Sequence, residues 1–397
     1  MINPSVNGWI DKYFLEQKQE NNHFLQDEIL YYKNTRNTGF LIGYITSFYT
    51  PKPIDTTNWK SDEFSKVALL NTLFGIYQLI NKNNNKDEFI AKCISFYNEL
   101  QPKNNSLLSK IMPQENNSST LEKIISSRIK TNDNNISKNF SHILTNALLF
   151  LDVLAFRRYL LDNEIPEKYF KKSEEIIINI LFLALNSKKN QTKYDNLLIK
   201  LFEASVRYSK INSPELTSLN SIDTDYFDTN FEKYYLIDLA TLAFWNDGKI
   251  EISEQIFLNK LAEKLNIPEK FVTESILDIN LYLNTYKNEI PYFKYSNPVQ
   301  HLYNQTTENI QILLIRNKKR IQKEIVQSKE LMQLLAQSSK RELNAEEKKK
   351  VRKQILDICK TIPSLTIFLV PGGSLLLPIV IKFFPKLLPS AFNENLE

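Results

Sequence analysis

The stretch LNAEEKKKVRKQILDICKTIPSLTIFLVPGGSLLLPIVIKFFPKLLPSAF, Leu343 to Phe392, sets a charged helix directly before a long apolar run. Asn344 with Glu347 three residues on is a capping-box arrangement, which starts a helix by satisfying its first free N–H groups. Val351, Ile355 and Ile358 recur at helical spacing and give that helix an apolar stripe. Ile362 to Ile381 then follows as twenty residues without a charge. At about 1.5 Å per residue, such a run crosses about 30 Å of hydrocarbon if helical. Pro371-Gly372-Gly373 interrupts it, because proline removes a backbone donor and the glycines add freedom. Three outcomes are open: a kinked helix that spans, two halves that re-enter as a proline-broken hairpin, or a hairpin buried in a soluble core. The density of Leu, Ile and Val over a bilayer-sized window favours membrane insertion at 362–384. Eight Lys/Arg lie between Lys340 and Lys360, and only Lys382 and Lys386 follow the run, so a spanning segment leaves the N-terminal body cytoplasmic.

Working outward, Glu308 to Leu343 reads as one long helix with a seam of Ile310, Leu314, Ile321, Ile325 and Leu335. Arg316, Lys318, Lys319, Arg320 and Lys323 crowd one end of it, either as a solvated face or as a contact with anionic lipid. Seven glycines in 397 residues leave little material for the tight turns of sheets or for phosphate loops, so the chain is expected to be an all-α multi-helix bundle. Ser65 to Ile80, SKVALLNTLFGIYQLI, is apolar on most faces, as a central helix is. Gly39 to Tyr49, GFLIGYITSFY, reads as a short buried strand or helix. Residues 98–139 turn polar and read as a linker or insertion with one short helix. Helical spacing resumes at Phe140 to Asp162, where Ile143, Ala147, Phe150 and Leu154 share a face and Asp152 interrupts it. A lone acid there is expected to pair with Arg157 or a neighbouring element. EEIIINILFLALNSK and NLLIKLFEASVRYSK supply two more helices. The resulting division is 1–97, 98–139, 140–230, 231–290 and 305–397.

Tyr234 to Asn280 reads as three helices, one ending at Asn246-Asp247-Gly248, one beginning near Ser253 and one opened by Pro268. Ala243 and Trp245 stand where an EF-hand loop needs its first oxygen ligands, which argues against calcium. The turn with Asp247, Gly248 and Glu254, followed by an amphipathic helix, resembles the tellurite-resistance B-like helical domain. In this turn Gly248 closes the chain, Ile250 fills the core and Glu254 steadies the start of the next helix.

Composition narrows the chemistry further. Cys93 and Cys359 are far apart and His23, His142 and His301 are scattered, so neither a disulfide framework nor a Cys/His metal site is expected. The formal charge of +5 is mild for this length, and direct nucleic-acid binding is not the expectation. MINPSVNGWIDKYF lacks the features of a secretion signal, and its Trp9, Ile10, Tyr13 and Phe14 are expected to pack on the body. With no glycine loop, nucleophile elbow, metal-ligand spacing or acid pair in view, the expectation is a protein that is not an enzyme and takes no cofactor.

The order Pro363, Pro371, Leu376, Leu377, Pro378, Lys382, Phe384, Pro385, Leu388, Pro389, Ser390 and Phe392, with the charged helix before it, resembles the leucine-zipper/EF-hand-containing transmembrane (LETM-like) family. The rest of the chain more loosely resembles its bacterial, biofilm-associated members. The resemblance implies a bacterial inner-membrane location, with Gly372, Gly373 and Ser374 at the turn of the membrane motif. It also implies a membrane-anchored scaffold with a protein partner, a role in biofilm or envelope ion homeostasis, or, alternatively, ribosome binding or cation/proton exchange by oligomers of the hairpin. Eukaryotic members place a glutamate in the turn before the Leu-Leu-Pro, where this chain has Ser374, and a serine hydroxyl does not alternate between proton and cation near neutral pH. The family's large C-terminal domain, to which the resemblance assigns the ribosome contacts, is expected to be missing, since the chain stops at Glu397, and both departures weigh against the transporter and ribosome readings.

Overall fold

The computed structural model describes residues 2–17, 27–100, 117–133, 141–163, 166–189, 191, 218–245, 250–289, 310–338, 341–362, 365, 380–381 and 383–387. Among these the chain is helix, turn and irregular connection, with no strand. The N-terminal body holds α1 (Trp9–Glu16), α2 (Glu28–Asn37), α3 (Ser61–Asn81), α4 (Lys86–Leu100), α5 (Asn117–Asp133), α6 (Ser141–Asp162) and α7 (Pro166–Ser187). It continues with α8 (Asn230–Phe244), α9 (Ile252–Leu265) and α10 (Glu269–Tyr286). The segment NLLIKLFEASVRYSK lies outside the described residues.

The central helix of the body is α3, as its all-round apolar sequence requires, and it packs on α5 and α6. Its start is fixed by Glu63, whose carboxylate accepts from Lys60 N at 2.7 Å and from Ser5 Oγ at 2.6 Å. It ends at Lys82, which takes a left-handed conformation with φ 52°. Gly75 on this helix lets the Tyr31 ring approach so closely that a β-carbon would lie 2.1 Å from its hydroxyl. Trp9, Ile10 and Tyr13 are buried in the body as expected. The helix inside the polar 98–139 stretch is the 17-residue α5, and its Leu121, Ile124, Ile125 and Ile129 belong to the core. Gly39 to Tyr49 is neither strand nor helix. Gly39 and Gly43, with φ of 85° and 93°, turn the chain so that Phe40, Leu41 and Ile42 enter the core from irregular backbone.

Three buried carboxylates tie the body together, each held by an arginine and a tyrosine from other positions in the chain. Asp152 on α6 takes Arg128 Nη2 at 2.6 Å and Nε at 2.8 Å from α5, and the Tyr97 hydroxyl at 3.0 Å from α4. Glu232 on α8 takes Arg158 Nε at 3.0 Å and the Tyr169 hydroxyl at 2.7 Å. Asp238, six residues further along α8, takes Arg36 Nη1 at 3.1 Å and the Tyr32 hydroxyl at 2.7 Å from α2, with Ser275 donating from α10. A buried charge is tolerated only when paired and hydrogen-bonded, and here each carboxylate is both. Burial, and after it the adjacent carboxylate, pushes the phenols of Tyr32, Tyr97 and Tyr169 well above their usual range. They therefore stay protonated and keep donating.

A second core, sharing no residue with the first, is built from residues 310–387. The expected single helix from Glu308 to Leu343 is corrected here. Residues 310–316 run on into α11 (Lys318–Gln327), and a break at Ser328 starts α12 (Lys329–Ser338). Ser328 leaves the helical conformation at ψ 93°, and its hydroxyl accepts from Leu331 N at 3.2 Å, the work of an N-cap. The seam itself is as read: Ile310, Leu314, Ile321, Ile325 and Leu335 are all buried. α13 (Ala345–Thr361) closes the module.

No helix among the described residues is long and apolar enough to cross a membrane. Ile362 and Leu365 before residues 366–379, and Val380, Phe383 and Phe384 after them, all belong to this second core. α13 and the 3-10 turn Phe384–Leu387 both pack against α11 and α12. The described residues on the two sides of 366–379 therefore meet in one core.

Candidate docking module

The module starts from the cap read in the sequence. Asn344 Oδ1 accepts from Glu347 N at 2.9 Å, and Glu347 Oε2 accepts from Asn344 N at 2.9 Å. Arg341 adds a 2.7 Å ion pair to Glu347. Hydrogen bonding from Arg341 first, and from the Asn344 backbone second, holds the Glu347 carboxyl down at about 2, below its ordinary 4.5. The folded-state pKa is depressed, so this contribution is complete above the ordinary value and is lost as pH falls toward 2. Asn344→Ala is expected to cost about 1 kcal/mol, seen as a lower midpoint for loss of helicity in the module during urea titration.

The stripe Val351, Ile355 and Ile358 is buried, with Cys359 beside it. The other side of α13 reaches α12 through polar groups. Gln354 Nε2 donates to Glu330 at 2.8 Å, Lys350 pairs with the same carboxylate at 2.8 Å, and Ser328 Oγ donates to Gln354. Lys349 and Lys353 remain exposed on α13, with no ion pair to a described residue. Residues 310–397 carry sixteen Lys/Arg against eight Asp/Glu, a net +8 in a chain whose total is +5. The mild overall charge therefore hides a segregated one.

Of the expected membrane-motif residues, Phe384 is fully buried in this core and Pro385 half-buried beside it. Pro363, Pro371, Gly372, Gly373, Ser374, Leu377, Pro378, Lys382, Pro389 and Phe392 lie outside the described residues, as do Asp247 and Gly248. Glu254 is buried and accepts from Glu251 N at 2.8 Å, capping α9 as its position in the sequence suggests. Asp152 finds a neighbouring element, α5, rather than Arg157, which pairs with Glu28 at 2.6 Å instead. Elsewhere in the body a cleft of about 600 Å³ is walled by Tyr13, Phe14, Tyr31, Tyr49 and Phe74. Its polar groups bond one another: Tyr13 to Asn71 at 2.6 Å, Gln78 to Asn84 at 2.6 Å and Lys86 to Asp11 at 3.2 Å.

The cap, the buried stripe and the closing Phe384 turn together delimit one unit at the C-terminus. Residues 343–397 match the LETM1-like, RBD family model. The match begins at Leu343, one residue before the Asn344 cap, and takes in α13 and the Phe384–Leu387 turn. The matched segment thus supplies part of the second core, and the helices of 310–338 supply the rest. No curated protein and no solved structure matches the chain. Sequence reasoning found the cap and the stripe but missed Ser328, whose signal was a serine placed three residues before Leu331 inside an unbroken apolar seam.

Proposed function

We propose that the protein is a LETM-like adaptor whose C-terminal module docks on a ribosome-type partner, with the helical body as the scaffold it carries. The observation that carries this reading is the ribosome-binding-domain family match at 343–397, whose charged helix holds Lys348, Lys349, Lys350, Arg352 and Lys353 within two turns. On this reading the ribosome contacts lie on residues 343–397 themselves and need no separate domain. Exposed lysines on a capped, rigid helix suit a phosphate-rich surface, whose affinity is governed by charge neutralisation and therefore by salt. The test is cosedimentation of the full chain with purified bacterial ribosomes across a salt series. Lys349→Glu with Lys353→Glu is expected to weaken association roughly tenfold and to flatten the salt dependence, as loss of two phosphate contacts does. Ribosome pelleting that is absent in the parent, or unchanged in the double variant, would count against it.

A second reading keeps the protein at the bacterial inner membrane with its body cytoplasmic, and rests on the charge-free run Ile362–Ile381. Fractionation of the full chain beside one ending at Lys360 tests it: retention of the longer form alone in carbonate-washed membranes is the expected result, and recovery of both in the soluble fraction removes it. A role in biofilm or envelope ion homeostasis would follow from that placement. Cation/proton exchange draws less support, because Ser374 precedes Leu376-Leu377-Pro378 where a titrating carboxylate is needed. Neither reading assigns the protein a catalytic step.

A further inference from the structure

The helix formed by residues 310–316 and α11 has a second face that its packing does not use. The backbone hydrogen bonds run through the junction, with Asn317 N donating to Leu313 O at 3.2 Å and Ile321 N to Asn317 O at 2.9 Å. The helical register is therefore kept, and residues three and four apart share a face. One face, with Ile310, Leu314, Ile321 and Ile325, is buried in the second core. The opposite one reads Ile312, Ile315, Arg316, Lys319, Arg320, Lys323 and Val326, all exposed. Ile315 is 65% exposed, Val326 50% and Ile312 46%.

A solvated face has no need of three open aliphatic side chains at this spacing. Nor does it need Arg316 with Arg320 and Lys319 with Lys323, two like-charge pairs four residues apart that weaken a helix. None of the four makes an ion pair with a described residue, and the acid of that turn, Glu324, is half-buried to one side. The two costs make sense together on a surface that is both anionic and apolar just beneath. There the cations reach phosphates while the aliphatic groups enter the headgroup boundary. A polynucleotide offers the charge but nothing for Ile312, Ile315 and Val326, and the face has no aromatic ring on which a base could stack. Eighteen residues give about 27 Å of helix, long enough to lie flat and engage several lipids at once.

We propose that the Ile312–Val326 face of this helix is a peripheral docking surface for anionic lipid bilayers. It uses different residues from the ribosome-docking lysines of α13, so either reading can fail alone. The test is flotation of the full chain with vesicles of phosphatidylcholine alone and of phosphatidylcholine with about one-third phosphatidylglycerol. The parent is expected to bind the second more tightly than the first, and salt is expected to remove that difference. At about fivefold per basic residue, Lys319→Glu with Lys323→Glu is expected to weaken binding about twenty-five-fold or more, since each change also adds a negative charge. Ile312→Ser with Ile315→Ser, which leaves every charge in place, should weaken it as well. All four residues are exposed, so unchanged thermal unfolding is the check that each variant is folded. Equal binding to both vesicles, no binding to either, or full binding by the charge-reversed variant overturns the proposal. So does an isoleucine variant that binds vesicles like the parent, or face variants whose only loss is in ribosome cosedimentation.

Discussion

Asp152→Ala is expected to destabilise the N-terminal body by about 3–5 kcal/mol, because it takes the bidentate carboxylate from a partly buried guanidinium and the acceptor from a buried phenol at once. Arg128 and Tyr97 come from α5 and α4, and both point at a carboxylate with no exposed side-chain surface. Removing the acid takes the bidentate Asp152 carboxylate away from a desolvated cation, which costs more than the net worth of the pair. The double replacement Asp152→Leu with Arg128→Met removes both charges and keeps apolar volume. It is expected to recover much of the loss, since a well-packed apolar pair often equals a buried ion pair in stability. Urea unfolding of the single and double variants measures this directly. A local reporter is also present, as Cys93 lies fully buried on α4 one turn before Tyr97, its thiol pushed well up by burial. Thiol labelling at Cys93 should accelerate in Asp152→Ala, while labelling at Cys359, in the separate second core, should not change. A single variant within about 1 kcal/mol of the parent would show that the network is not what holds these helices together.

The same network shows where sequence reading succeeds and where it stops. Low glycine content, the apolar length of Ser65 to Ile80 and the 344–347 cap are local signals, and helices follow from them without knowledge of the fold. Asp152 could be recognised as an acid needing a partner, because its neighbours in sequence are hydrocarbon. Arg128 could not be chosen from among many arginines, since the pairing is made by packing of α5 against α6 and not by spacing along either. The basic cluster at 316–323 was legible as composition. That it shares an exposed face with Ile312, Ile315 and Val326 depends on which side of the helix the core takes. The charge of the whole chain misled, since an average of +5 conceals a C-terminal module at +8.

The apolar run is the case in which physics leaves two solvents open, hydrocarbon or protein interior, and a single side chain separates them. Phe384 has no exposed surface and sits in one core with Ile355, Cys359 and Leu365. Truncating a ring in such a site loses its transfer energy and leaves a cavity, so Phe384→Ala is expected to cost about 3–5 kcal/mol in detergent-free buffer. Cys359 reports on that core. Burial pushes its thiol up to about 12, so it reacts with a thiol reagent only when the core opens. Each 1.4 kcal/mol is a factor of ten, so labelling of Cys359 should rise by about two to three and a half orders of magnitude in the variant, read by mass spectrometry against Cys93 as the internal control. If instead Phe384 faced lipid, its loss would leave Cys359 as protected as in the parent and would lower the membrane-bound fraction. The two solvents therefore give opposite answers on two readouts, and a rate at Cys359 unchanged by Phe384→Ala would return the run to the bilayer.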